Sequence, residues 1–230
     1  MKVGTDALIL GSWAGEVSER KGQPLVRILD IGTGSGIIAL MLAQRFPSSR
    51  IDAVEIEPDA ANQARFNVAS SEFSERIVVH QRAIQGWSEG VDLAVCNPPF
   101  FHNHPKSDDR KRNLARHDDT LPVKSLFSAV KACLHPEGEL AMIFPEDRSL
   151  ELREEASRQG FYCKAYIQLR ATPNHEVIRS LWAWGLSPGS ETKGVWNVEG
   201  QEGPGSWSDE LAPRLLGFLP SISPPQQPKT

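Results

Sequence analysis

A mostly parallel α/β sheet with helices on both faces is the fold this sequence predicts, and three features predict it. Short β-branched runs alternate with amphipathic helical patterns between residues 26 and 185. The first run breaks into glycines at alternate positions, Gly32, Gly34 and Gly36, directly before a helix. A later run, Val91 to Cys96, is fully apolar after Asp92, as a strand covered on both faces must be.

Taken in order, Thr5 or Asp6 is the predicted N-cap of a first helix, running into Ala7-Leu8-Ile9-Leu10. Val26 to Ile31 is the first strand and Ile37 to Phe46 the helix after it. Glycine at every second position permits positive φ and lets a ligand lie on the backbone, with the helix N–H groups aimed at it. The turn suits a nucleoside-like ligand. A dinucleotide fingerprint would be G-x-G-x-x-G, but here the third glycine comes one residue early.

Ile51 to Glu55 is the second strand, ending in an acid 25 positions after Asp30, where a carboxylate accepts the ribose hydroxyls of a nucleoside lying on the first turn. Glu57 is the rival, with a second use as a helix N-terminal charge beside Pro58. A helix over Asp59 to Ser70 and a strand over Arg76 to His80 follow, then the Gln81–Gln85 loop.

The fourth strand ends in Asn97-Pro98-Pro99-Phe100, 67 residues after Asp30. Two prolines hold the backbone stiff just past the carboxyl end of the strand, where open α/β sheets bind ligands. An exocyclic or amide –NH2 is a poor nucleophile, because its lone pair is delocalised into the adjacent π-system. Acceptors on both of its hydrogens, the Asn97 side-chain oxygen and the Pro98 carbonyl, favour the state in which that lone pair localises. Phe100 is placed to stack on the ring that bears the amine.

Residues 101 to 120 carry Lys106, Arg110, Lys111, Arg112 and Arg116, a candidate set of RNA-phosphate contacts beside that pocket. His102, His104 and His117 share the segment, but their spacing does not make a metal site. Pro122 to Leu134 is an amphipathic helix, Leu140 to Phe144 a strand and Ser149 to Gln159 a helix. Phe161 to Leu169 and Val177 to Gly185 are the closing strands, with residues 170 to 176 between them as a candidate lid. From Leu186 onward seven prolines and six glycines in 45 residues predict a tail of low order, with one short docked helix within Asp209 to Leu219.

The 230 residues, 40% of them apolar, suffice for one domain with a full core. A domain over residues 1–185 and a tail over 186–230 is the expected division. The net charge of -4 and pI near 5.9 exclude a generic nucleic-acid binder, so any RNA contact falls to a local basic patch. Neither a membrane-spanning run nor a signal peptide is present, which predicts a cytoplasmic protein. Cys96, Cys133 and Cys163 are isolated and read as small apolar residues rather than a disulfide or zinc set.

With these motifs in hand, D-I-G-T-G-S-G resembles the first motif of class I S-adenosylmethionine-dependent methyltransferases. The stretch from Lys2 to about Gly185 resembles the valine-tRNA adenine-N6 methyltransferases. The likeness rests on K-V-G-T-D, D-I-G-T-G-S-G, V-E-I, N-P-P-F, A-R-H-D and F-P-E. The resemblance implies a Rossmann-like seven-stranded sheet with a reversed last strand. S-adenosylmethionine is the implied cofactor, held by Lys2, Gly4, Thr5, Asp6, Asp30, Gly32, Thr33, Gly34, Gly36, Glu55, Ile56, Ala83, Ile84 and Asn97. Lys2 to Asp6 would close over its methionine end. Asn97, Pro98 and Phe100 are the implied catalytic set, the substrate a tRNA and the enzyme a monomer. Ala83 stands where many relatives carry an acid for the adenine, which leaves that contact to backbone amides, Gln81 or Gln85. Two other functions stay open on the sequence: methylation of a protein glutamine amide, and a binding module without turnover.

Overall fold

The computed structural model describes residues 4–98, 121–201 and 206–219. They form an eight-stranded sheet: β1 (Arg27–Ile31), β2 (Arg50–Glu55), β3 (Ile77–Gln81), β4 (Val91–Cys96), β5 (Leu134–Pro145), β6 (Tyr162–Arg170), β7 (Val177–Gly185) and β8 (Thr192–Asn197). Across the sheet the order is β3-β2-β1-β4-β5-β7-β6-β8. Only β7 runs against its neighbours, lying antiparallel to both β5 and β6, while β8 is parallel to β6. The helices are α1 (Thr5–Trp13), α2 (Glu16–Arg20), α3 (Ile37–Arg45), α4 (Pro58–Ala69), α5 (Val123–Cys133), α6 (Ser149–Arg158) and α7 (Ala212–Leu215).

The sheet therefore has one strand more than the expected seven. The prolines and glycines after Gly185 are not spread evenly, and Thr192–Asn197 has the extended Val195 and Trp196 to pair with the free edge of β6. Farther on, Leu211 and Leu215 bury completely as α7 docks, so the short helix expected there is present. β5 also starts earlier than expected, at Leu134, and takes in Pro136 to Gly138, with the register shift between Val91 and Leu93 absorbing the irregularity.

Strand alternation sorts the core into two layers. Ile28 and Ile51 pack with α1 and α3 on one face; Leu29, Ile31 and Val54 pack with α5, α6 and the Ile84–Trp87 turn on the other. Cys96 and Cys133 are buried in the second layer and Cys163 is half-buried; all three are free thiols.

One buried acid ties the N-terminal helices to the sheet. Glu139 of β5, 3% exposed, accepts from Gly15 N (3.2 Å), Ser18 N (3.0 Å) and the Ser18 hydroxyl (2.9 Å). Burial pushes its carboxyl above the usual range against those hydrogen bonds. Glu139→Ala strands two buried backbone donors at once. It is expected to cost about 2–4 kcal/mol, read as a lower urea midpoint at unchanged slope.

Candidate active site

The register of the parallel strands lines up the carboxyl edge. Ile31 pairs with Cys96 on one side and with Val54 on the other, and Glu55 pairs with Gln81. The next residues along, Asn97, Gly32, Glu55 and Gln81, thus stand in a row across four neighbouring strands. At about 4.8 Å per strand the row spans about 14 Å, the reach of a nucleoside with an amino-acid arm.

The glycine turn takes the conformation its spacing demanded. Gly32, Gly34 and Gly36 have φ of 68°, 57° and 83°. Gly32 and Thr33 donate to Val54 O at 2.9 and 3.1 Å, which seats the turn on β2. A Cβ at Gly32 would meet nothing within 4 Å, so the space above the turn is open, whereas one at Gly36 would lie 3.4 Å from Ala64 Cα and Cβ. Gly36 serves the close approach of α4, and Gly32 the approach of a ligand.

Asp30 lies beneath the turn and is wholly buried. Its Oδ2 accepts from the Thr33 hydroxyl (2.5 Å) and from Ala39 N (3.1 Å), so it satisfies a first-turn donor of α3 that the N-cap Gly36 has no side chain to reach. Among the described residues its Oδ1 has no partner. Burial pushes the carboxyl up to about 7, against the pull of those two hydrogen bonds and with a further push from Glu55.

Glu55 accepts from Gly34 N (2.9 Å) and Glu57 N (3.0 Å), which fixes its carboxylate at the turn with lone pairs to spare. Glu57 is otherwise engaged, capping α4 through Ala60 N at 2.9 Å. Ile56 is 66% exposed, a large apolar side chain left at the edge of the row. Ala83 is half-buried and Ile84 buried against the second core layer. Asn97 and Pro98 are half-buried at the end of β4. Pro99, Phe100, Lys2 and the basic residues Lys106, Arg110, Lys111, Arg112 and Arg116 lie outside the described residues, as do His102, His104 and His117.

At the N-terminus the expected cap is corrected. Gly4, in extended conformation, is the N-cap of α1 and makes no side-chain bond, with Thr5 already inside the helix. Asp6 is drawn instead to Arg179 Nε of β7 at 3.1 Å, a charge-assisted bond that outweighs a local cap. Arg179 pairs in register with Pro145, so this contact anchors the first turn of α1 at the carboxyl end of the sheet. Sequence reasoning missed Arg179, because the two partners are 173 residues apart and nothing local flags it.

It also left unread the surroundings of Glu146, in the F-P-E after β5. That carboxylate accepts from the Tyr166 hydroxyl, from Gln168 Nε2 (2.9 Å) and from the Ser149 hydroxyl (2.8 Å). Burial works to raise it, but these donors together hold it below the usual range. Among the described residues no group of three His, Cys, Asp or Glu is placed to hold a metal ion.

An open glycine turn over an unpartnered buried carboxyl oxygen, beside a fixed acid, fits S-adenosylmethionine: a cationic sulfur, a ribose diol and a zwitterionic arm. The fold and this edge define an S-adenosylmethionine-dependent methyltransferase. The family model of the methyltransferase small domain matches residues 17–155. A predicted O-methyltransferase of Agrobacterium tumefaciens has the same fold at a TM-score of 0.71 and 18% identity, over 92% of this chain and 96% of that one. The glycopeptide N-methyltransferase MtfA, solved with S-adenosyl-L-methionine, superposes at a TM-score of 0.55 and 13% identity, over 77% of this chain and 94% of its own.

More specifically, the chain belongs to the tRNA1(Val) (adenine(37)-N6)-methyltransferases. It is 44% identical over 191 residues to the Porphyromonas gingivalis member, covering 80% of this chain and 74% of that protein.

Proposed function

We propose that this protein methylates the exocyclic N6 of an adenine in tRNA, the adenine at position 37 of valine tRNA, as the name of its Porphyromonas gingivalis relative states for that enzyme. The observation that carries the reading is the row at the carboxyl edge, which sets Asn97 beside the open space over Gly32. S-adenosylmethionine, when bound, supplies an electrophilic methyl group on a positively charged sulfur.

The chain's own residues do the rest. Glu55 is assigned the ribose hydroxyls, the Gly32–Gly36 turn the body of the cofactor, and Gly4, Thr5 and Asp6 its amino-acid arm. Ile56 offers an apolar face to the adenine of the cofactor, with Ala83 and Ile84 closing that end through backbone. Asn97 Oδ1 and Pro98 O accept the two hydrogens of the target amine, so that its lone pair localises toward the methyl group. No strong base is needed: the nitrogen turns acidic as it bonds carbon, and its proton leaves to Pro98 O or water. Phe100 is assigned the stacking of the flipped base by its place in the sequence.

Lys106, Arg110, Lys111, Arg112 and Arg116 are proposed as phosphate contacts and the enzyme as a cytoplasmic monomer. No helix among the described residues is long and apolar enough to cross a membrane.

The direct test is incubation of unmodified valine tRNA with the protein and isotopically labelled cofactor, followed by nucleoside mass spectrometry. Labelled N6-methyladenosine from position 37 is the expected product. Labelling of a Gly-Gly-Gln peptide instead would transfer the chemistry to a glutamine amide. No heat of cofactor binding by calorimetry would remove the enzymatic reading.

A further inference from the structure

Away from Asn97, a half-open cavity of about 370 Å³ lies at the amino ends of β5, β6 and β8. Arg20, Lys21, Glu137, Lys164, Ser190 and Thr192 are among the residues that line it. Three of these are cations and one is an acid. Arg20 is partly satisfied by Glu16 at 3.3 Å, whereas neither Lys21 nor Lys164 has an acidic partner within 4.0 Å among the described residues.

Lys164 is placed with unusual care for a lysine. It is only 7% exposed, and its ammonium donates to Ser187 O. An ammonium carries three donors, so two are left to face the cavity. Glycines flank the side chain closely: a Cβ at Gly185 would lie 2.8 Å from Lys164 Cε and one at Gly189 3.0 Å from Nζ, so either would push the end of the lysine aside. Burial pulls this ammonium below its usual range and the neighbouring charge of Lys21 pulls it further, while Glu137 opposes them. A buried cation beside a second cation is unfavourable until an anion comes between them.

We propose that this cavity is a binding site for a phosphate group, held by the ammonium groups of Lys164 and Lys21 with the hydroxyls of Ser190 and Thr192 as further donors. It is independent of the methyl-transfer site and goes beyond the function proposed above. The group comes either from the backbone of a bound RNA or from a free phosphate, and one set of variants separates the two.

The full chain, labelled with nitrogen-15, is titrated with inorganic phosphate at constant ionic strength, with chloride as the control. Saturable amide shifts at Gly189, Ser190 and Thr192 are expected. Lys164→Met is expected to weaken phosphate binding at least about tenfold, and Lys164→Arg to retain most of it. Gly189→Ala changes no charge but crowds Nζ, and is expected to weaken binding as well.

A filter-binding series with tRNA then names the source. If RNA supplies the phosphate, Lys164→Met weakens tRNA binding and lowers the salt slope by about one. If a free anion does, tRNA binding is unchanged while the phosphate shifts are lost. Absence of saturable shifts in the wild type, or their persistence in Lys164→Met with an unchanged melting temperature, overturns the proposal.

Discussion

Asn97→Ala is expected to lower turnover on tRNA by about 10²-fold or more, while S-adenosylmethionine binds within about threefold of its wild-type affinity. The split follows from position. Asn97 is half-buried just past β4, and its backbone is held by the pairing of β4 with β1 and by Pro98, so truncation opens no core cavity. What it removes, in the reaction proposed above, is the side-chain acceptor assigned to the target amine as that amine sheds conjugation with its ring. The Pro98 carbonyl stays and can hold one hydrogen, so activity falls steeply without vanishing. Asn97→Asp restores an acceptor and is expected to recover part of the lost rate, because it adds a charge but keeps the geometry. Single-turnover methyl transfer at saturating cofactor, with calorimetry of cofactor binding alongside, reads both quantities. Equal turnover in wild type and Asn97→Ala would take Asn97 out of the reaction.

The features legible in the sequence are those with a short-range cause. Three alternate glycines announce their own positive φ, and the apolar run Val91 to Cys96 announces a central strand. The places of Glu55 and Asn97 on the carboxyl edge are legible because strand ends count off the residues that reach it. What escaped had a long-range cause. Asp6 was read as a cap because the only partners visible nearby were backbone N–H groups, but Arg179 comes from the far end of the chain. Nothing local in the sequence marks Glu139, because its burial follows from α2 folding back onto β5. The eighth strand escaped because composition averages over a segment. Thr192–Asn197 is short, contains a glycine, and acquires its structure from the open edge of β6. Arg153 reinforces that region from outside, bonding Glu191 at 2.8 Å while its guanidinium covers the Trp182 ring at 4.9 Å.

Cofactor affinity is expected to rise with pH up to about 7 and then level off, with Asp30 as the group responsible. In the free protein burial holds this carboxyl at about 7, so near neutrality it is about half protonated. Its Oδ1 is unpartnered, Glu55 pushes it toward the neutral acid, and the buried Cys96 thiol beside it stays protonated and supplies no charge. A cationic ligand over the turn favours the carboxylate and lowers its pKa, so binding expels the proton. Affinity should then change by up to about tenfold per pH unit below 7, with close to one proton released at pH 6 and about a tenth of one at pH 8. Calorimetry in two buffers of different ionisation enthalpy measures that release directly.

The sign for stability runs the other way. The folded value lies above the unfolded one, so the contribution is full below about pH 4 and is lost as pH rises toward about 7. About three pH units at about 1.4 kcal/mol each bound this loss at about 4 kcal/mol. Glu139 acts in the same direction and the paired surface acids in the opposite one, so the informative quantity is the difference between wild type and Asp30→Asn. That variant cannot titrate, and it is expected to bind cofactor without proton release and with a flat pH dependence across 5 to 8. A wild type whose affinity is equally flat would mean that Asp30 is already ionised and paired in a way the buried geometry does not allow.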